Sequence, residues 1–365
     1  MNICILLKTP KIKNCPGFEK LKTEYKPVLE LRKMCISSHG ALNPRKPLGK
    51  VGPKPYDRGK YDVDKVLKFK TLDLKLVLTE VDKIINSTGV DMNLLENELK
   101  YGESDIPNQW HQIWFGCTRE FTWEMLITIF GLVRFSDFGH LWFHTDCEPI
   151  NSEFWLLAKC ILAEKLTIVK LLEPPKTIFG RKLHAVHHKS DVYRLAILIK
   201  YGGVYIDDDI VAFRELKDLY KEKRVILAIE SGMSISNGYI MSPKQSNFML
   251  FWLQEYREFT SVGSGLNKWG RFSVLNPWAL HKQLGNDYVK TFNGDMVRPA
   301  WYEHDKMFRG YYNWSESYNI HLSPRAWWKY KVKRYNASLV DFVTEDNTLG
   351  EVYRHVVLGD KRLLC

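Results

Sequence analysis

The sequence predicts an α/β layered domain with a largely parallel sheet. Three observations carry that prediction. From Ile106 onward, short apolar runs of strand length alternate with segments of helical period. A pair of glycines, Gly202-Gly203, separates one such helix from the strand that follows it. The chain, at 365 residues with 45% hydrophobic and 26% charged residues, is long and apolar enough to bury a large core.

In chain order, residues 1–60 read as a basic irregular arm outside the main core, because Pro10, Pro16, Pro27, Pro44, Pro47, Pro53 and Pro55 fall among many lysines. Residues 61–104 read as a helical N-terminal extension. Val77, Val81, Ile84 and Ile85 recur at helical spacing, and a second short helical pattern follows from Met92 to Leu99. Residues 105–330 read as the main α/β domain. Strands are expected at Trp110–Phe115, Leu141–His144, Thr167–Leu171 and Val204–Ile206. Helices are expected at Trp123–Arg134, Phe154–Ala163 and Ser190–Lys200. Further strands at Val225–Ile229 and Tyr239–Met241 then mix with helices near Phe248–Phe259 and Pro277–Leu284. Residues 331–365 remain as a C-terminal extension. Alternation of this kind predicts the parallel layering.

Charge and cysteine usage narrow the class. Residues 1–60 hold fourteen Lys and Arg against four Asp and Glu, so nearly all of the net charge of +11 is local to the arm. A basic arm on a neutral body suits a tether or membrane-proximal stem, and no nucleic-acid partner is expected. The seven cysteines never form C-x-x-C, which argues against a zinc cluster and leaves the compartment open. No run approaches the length of a membrane span, and no signal-peptide core is present. Sequons occur at Asn86, Asn313 and Asn336. His184, His187 and His188 lack the Glu of a zinc-protease motif and read as loop residues. Serine-hydrolase, P-loop and dinucleotide-binding motifs are absent from the chain.

The most informative stretch runs from Ser190 to Asp209. Ser190 suits a helix N-cap, Val192, Leu195 and Ile199 form an apolar stripe, and Asp191 and Arg194 share a face beside it. After the glycines, Val204-Tyr-Ile206 leads into Asp207-Asp208-Asp209. Strand alternation would put Asp207 and Asp209 on one side and Asp208 on the other, at a strand's carboxyl end, where open α/β sheets bind ligands. Two hard oxygen donors there suit Mg²⁺ or Mn²⁺, which leave positions open for substrate phosphates. An Asp-x-Asp alone is weak; Asp62-Val-Asp64 is one with neither glycine turn nor strand before it. A solvated acidic turn for Asp207–Asp209, and a surface ion pair for Asp191 and Arg194, are the plain alternatives.

The run from Lys189 to Asp209 resembles the sugar-binding Asp-x-Asp region of glycosyltransferase family 32. Ile106-Pro-Asn-Gln-Trp-His-Gln-Ile-Trp-Phe-Gly116 is similar to that family's opening strand. The resemblance implies a GT-A fold, the Rossmann-like nucleotide-diphospho-sugar transferase fold, with added helices here. It implies a metal-dependent retaining glycosyltransferase that moves a hexose from a UDP- or GDP-sugar to a glycan, glycolipid or glycoprotein. Mn²⁺, or Mg²⁺, would be the cofactor. Carried over by position, Trp114 would lie against the donor base, and Asp191 and Arg194 would hold the donor sugar with Ser190 and Gly203 nearby. Asp207 would serve sugar or ribose and the metal, Asp209 would bind the metal-diphosphate, and His321, in Ile320-His-Leu322, would complete the metal site. Asn237, in Asn237-Gly-Tyr-Ile-Met, would face the reacting carbon; a β-turn Asn-Gly is the alternative. Asn276-Pro277 stands where relatives often have Gly-Pro on the acceptor side. Relatives are mostly luminal to the Golgi, and the absence of an anchor here keeps a cytoplasmic setting open. A catalytically inactive sugar-nucleotide or glycan binder of the same fold is the first rival reading, and a basic nucleic-acid-binding protein the second.

Overall fold

The computed structural model describes residues 13–38, 71–91, 93–94, 106–231, 234–261, 270–293, 296–297, 299–300, 303–322 and 338–359. Alternating strands and helices build one seven-stranded sheet. Its strands are β1 (Gln109–Trp114), β2 (His140–Thr145), β3 (Leu166–Lys170), β6 (Gly203–Ile206), β8 (Val225–Ser231), β9 (Ser234–Ser242) and β10 (Val289–Phe292), in the order β10-β8-β9-β6-β1-β2-β3. Two small antiparallel pairs flank it: β4 (Thr177–Ile178) with β5 (Arg181–Lys182), and β7 (Ile210–Ala212) with β11 (Asn319–His321).

The pleat sorts the apolar side chains into two cores. Trp110 and Trp114 of β1, Leu141 and Phe143 of β2, and Val204 and Ile206 of β6 belong to one apolar cluster, while Ile113, Trp142 and Tyr205 point into the other. The first cluster is closed by helices α3 (Trp123–Phe135), α4 (Glu153–Leu162) and α10 (Thr348–Leu358); the second by α2 (Leu74–Asn86), α5 (Val186–Tyr201), α6 (Asn247–Glu255) and α7 (Asn276–Leu284). Helices on both faces of a central sheet are the α/β architecture the alternation predicts.

The sheet is mixed and, as expected, largely parallel: six of its seven strands run one way and β9 runs against them. β1, β2, β3 and β6 run parallel, as do β8 and β10, but β9 is antiparallel to both β6 and β8. Only two residues separate β8 from β9, too few for the crossover that a parallel neighbour needs.

Part of the expected irregular arm is helical. Helix α1 (Phe18–Ser38) buries Leu21, Tyr25 and Val28 in the first cluster. Full burial of such side chains is worth about 1.5–3 kcal/mol each. The three lie at i, i+4 and i+7, a stripe masked in the sequence by the surrounding lysines and by Pro27, which is exposed inside the helix. Cys15 is disulfide-bonded to Cys160 of α4. Gly17, at φ +79°, lets this segment approach so closely that a Cβ there would lie 2.2 Å from the Glu153 carbonyl oxygen. Helix α8 (His304–Phe308) and, past residue 331, α9 (Leu339–Val343) and α10 join the same cluster, and Arg134 caps α10 by donating to the carbonyls of His355 and Val356. The helical pattern expected at Met92–Leu99 lies almost wholly outside the described residues. Among the described residues no helix is long and apolar enough to cross a membrane.

Candidate functional site

The site gathers at the carboxyl end of β6. Helix α5 begins at Val186, one turn earlier than expected, so Ser190 is an interior helical residue and not the N-cap; Ala185 occupies that place. The Ser190 hydroxyl instead accepts from Arg194 Nη2 at 3.0 Å. Gly202 and Gly203, at φ +70° and +105°, end α5 and turn the chain into β6 as expected. Gly203 itself lies at the amino end of β6. A Cβ there would meet Gln109 O at 2.4 Å, so this glycine lets β6 lie close against β1 and sits at the opposite end of the strand from the acidic run.

Asp207, Asp208 and Asp209 follow β6 in a tight turn closed by Ile210 N–H donating to Asp207 O. The turn yields the separation that strand alternation predicts. Asp207 and Asp209 face a common point, whereas Asp208 pairs with Arg119. β7 continues from the turn and pairs with β11, placing His321 opposite Ile210 and bringing its Nε2 to 3.1 Å from Asp209 Oδ1. One ligand atom each from Asp207, Asp209 and His321 lies within 4.8 Å of the others. Two carboxylate oxygens and an imidazole nitrogen fit Mn²⁺ or Mg²⁺ and leave room for oxygen ligands from a substrate. Burial works to lower the His321 pKa, but Asp209, with Glu230 and Asp207 beyond it, raises it to about 9.

A buried polar network holds Asp207. Tyr205 O–H donates to Asp207 Oδ1 at 2.5 Å, Arg194 Nη1 lies 3.4 Å from the same oxygen, and Asp207 N–H donates to Gly238 O at 2.8 Å. Asn237-Gly238 is therefore not a hairpin turn but the middle of β9. Gly238 is needed there because a Cβ would stand 2.7 Å from Asp207 Oδ2. Asn237 Nδ2 donates to Asp191 Oδ1 at 2.7 Å, and Arg194 Nη1 donates to Asn237 O at 2.5 Å. The Arg194 guanidinium lies 4.2 Å from the centre of the Tyr205 ring and 3.4 Å from Asp191 Oδ1.

Asp191 and Arg194 are buried, so their pair is not the surface salt bridge of the plain alternative. Burial pushes the Asp191 carboxyl up to about 6, against the pull of Arg194 and the hydrogen bonds from Ser273 and Asn237. For Arg194, burial is outweighed by Tyr205, Asp207 and Asp191, which hold the guanidinium above its ordinary pKa.

Three participants escaped the sequence reading. Tyr205 could have been found, since it precedes Asp207 by two on the same strand. Ser273 arrives through a π-helical turn, Arg271–Leu275, that leads into α7 at Asn276. Arg119 pairs with a residue eighty-nine positions away, which no local pattern signals. Trp114 is fully buried in the first cluster with Arg119 over its ring at 4.0 Å. His187 and His188 pack on each other at the start of α5, and neither joins the metal-type cluster.

Residues 159–226 match the family described as "Glycosyltransferase sugar-binding region containing DXD motif", which bears out the resemblance carried by Lys189 to Asp209. Over 174 residues the chain is 30% identical to glucan organizing enzyme 1 of Cryptococcus neoformans var. grubii, covering 44% of this chain and 44% of that protein. A stretch of 73 residues is 42% identical to an uncharacterized protein of Arabidopsis thaliana, covering 19% of this chain and 11% of that one. The chain thus spans less than half the length of either relative. Among solved structures, the PaToxG glycosyltransferase superposes with a TM-score of 0.37 at 16% identity, over 57% of this chain and 79% of that one. Apo GlyE from Streptococcus pneumoniae TIGR4 gives 0.38 at 11% identity, over 62% of this chain and 60% of that one. Likenesses this loose carry no argument.

Proposed function

We propose that this sugar-binding region belongs to a metal-dependent glycosyltransferase that takes a hexose from a UDP- or GDP-sugar and passes it, with retention of configuration, to a glycan, glycolipid or glycoprotein. The single observation that carries the reading is the convergence of Asp207, Asp209 and His321 on one point, within 4.8 Å of one another, at the carboxyl end of β6. A divalent cation held there would neutralise charge on the departing diphosphate.

The chain's own residues have separable tasks in this proposal. Asp191, buried and braced by Asn237 and Ser273, binds hydroxyls of the donor sugar. Arg194 is already committed to Ser190, Asn237, Asp191 and Asp207, so it positions the two carboxylates and does not reach for the diphosphate itself. Asn237 fixes Asp191 from β9 and faces the reacting carbon. The expected transition state is oxocarbenium-like, and catalysis rests on charge stabilisation at the leaving group and on positioning.

The compartment we propose is oxidising and luminal. Cys15–Cys160 and Cys117–Cys147 are disulfides, which persist in the secretory pathway and not in a reducing cytosol. The sequons at Asn86 and Asn313 are exposed, as glycan acceptors would have to be.

Calorimetric titration of Mn²⁺ and of UDP and GDP in its presence tests the reading. Wild-type protein should bind the metal and one nucleotide, and Asp209→Ala should lose the metal together with the metal-dependent share of nucleotide binding. Equal nucleotide affinity with and without the metal would refute it.

A further inference from the structure

We propose that the guanidinium of Arg119, and not the indole of Trp114, is the platform on which the donor's nucleobase stacks. The inference rests on the nucleotide-sugar reading above and identifies the part of the site that reads the nucleoside.

Position comes first. Trp114 is the last residue of β1, and Asp208 lies just past the end of β6, the strand paired with β1 in parallel. Arg119 bridges the two strand ends, contacting the Trp114 ring at 4.0 Å and pairing with Asp208. It therefore lies in the crevice beyond the carboxyl ends of adjacent parallel strands, next to the Asp207–Asp209–His321 cluster that would hold a metal-diphosphate.

Trp114 has no face to offer. Its accessible surface is 0%, with Phe121 at 5.8 Å, Phe143 at 6.3 Å and Arg119 over the ring. Arg119 keeps 38% of its side-chain surface open. A planar, delocalised cation backed by an indole is a stacking surface for a purine or pyrimidine, and guanidinium planes serve that purpose for unpaired bases.

The platform is also anchored. Two residues before Arg119, Cys117 is disulfide-bonded to Cys147, and Gly116 N–H donates to Asp146 Oδ1 at 2.9 Å. Both ties run to the segment after β2, so the loop is held at two points before any ligand arrives, which lowers the ordering cost of binding. The pairing with Asp208 already compensates the guanidinium's charge. A phosphate would have to compete with that carboxylate, whereas a base stacking on the guanidinium's exposed surface would not.

Calorimetry of wild type, Arg119→Ala and Arg119→Lys, each with Mn²⁺, against UDP, GDP and inorganic pyrophosphate decides the matter. Loss of the platform should weaken the preferred nucleoside diphosphate about 10- to 100-fold, with pyrophosphate affinity held within about twofold of wild type. Arg119→Lys, which keeps the charge but not the plane, should recover little. Intact pyrophosphate binding also reports that the variants are folded. An equal loss for pyrophosphate would make Arg119 a phosphate ligand, tighter nucleotide binding by Arg119→Ala would make it a plug, and unchanged affinity would give it no part; each overturns the proposal. So would wild-type protein that binds pyrophosphate as tightly as either nucleotide. If wild type binds Mn²⁺ but no nucleotide, the functional reading falls, and this inference with it.

Discussion

Replacing Gly238 by alanine should damage the site through one methyl group. The added Cβ would stand 2.7 Å from Asp207 Oδ2 and 3.2 Å from Ile210 Cδ1, both well inside ordinary contact. An exposed carboxylate would swing aside at little cost. This one is held by the Tyr205 hydroxyl at 2.5 Å and by Arg194 at 3.4 Å, on a backbone pinned to Gly238 O at 2.8 Å. Relief therefore requires Asp207 to shift by roughly half an ångström and strain at least one of those bonds, for an overpacking cost of about 1–3 kcal/mol. The same shift misplaces a candidate metal ligand, and displacements of that order near the reacting atoms cost up to about 100-fold in rate. Urea unfolding and Mn²⁺ titration of Gly238→Ala give the two readouts: a midpoint lowered by that energy, and metal affinity weakened about tenfold or more. A variant with wild-type stability and wild-type Mn²⁺ affinity would refute the argument that β9 backbone packing sets the position of Asp207.

Two further predictions concern stability. His111 and His144 form a buried chain whose direction is set by Gly202 O, which can only accept: a neutral His111 then donates to it through Nε2 and accepts at Nδ1 from His144 Nε2–H, which leaves His144 Nδ1 to accept from Tyr193 O–H. Burial holds His111 down to about 4, and burial and His111 hold His144 well below its ordinary value. Below about pH 6.5 the unfolded chain therefore takes up protons that the native state refuses, and stability should fall from there toward pH 4, by about 3 kcal/mol for His111 alone. His111→Gln should be less stable at pH 7.5 but flatter with pH than wild type in urea unfolding; equal slopes would contradict the chain. The Cys15–Cys160 bridge spans 145 residues, so Cys15→Ser should lower the unfolding free energy by about 2–5 kcal/mol under oxidising conditions. Wild type in reductant should fall to the level of that variant or below it.

How far the sequence could be read depended on whether the signal was local. Helix and strand periods placed β1, β2, β3, β6, α3 and α4 to within a residue or two, because each turns a run of apolar side chains toward the two cores. The glycine turn and the acidic run were legible for the same reason, since Gly202, Gly203 and Asp207–Asp209 are consecutive or nearly so. Misreadings arose where tertiary contacts outvote a local rule. Asn237-Gly238 is a hairpin signal that here lies in mid-strand, because the glycine's missing side chain is needed under Asp207. The prolines and lysines of residues 1–60 hid α1, whose stability comes from packing and not from propensity. Arg119 and Ser273 were invisible because they meet Asp208 and Asp191 only across the folded crevice.

The most direct test of the central claim is turnover: purified protein with Mn²⁺ and a panel of UDP- and GDP-sugars, with nucleotide release followed beside Asp209→Ala and a chelator control. Release from one donor, abolished by the variant and by the chelator, with the transferred sugar keeping its anomeric configuration by NMR, is the predicted result. Release that persists in Asp209→Ala, or a panel in which no donor is turned over with any acceptor, would contradict the account.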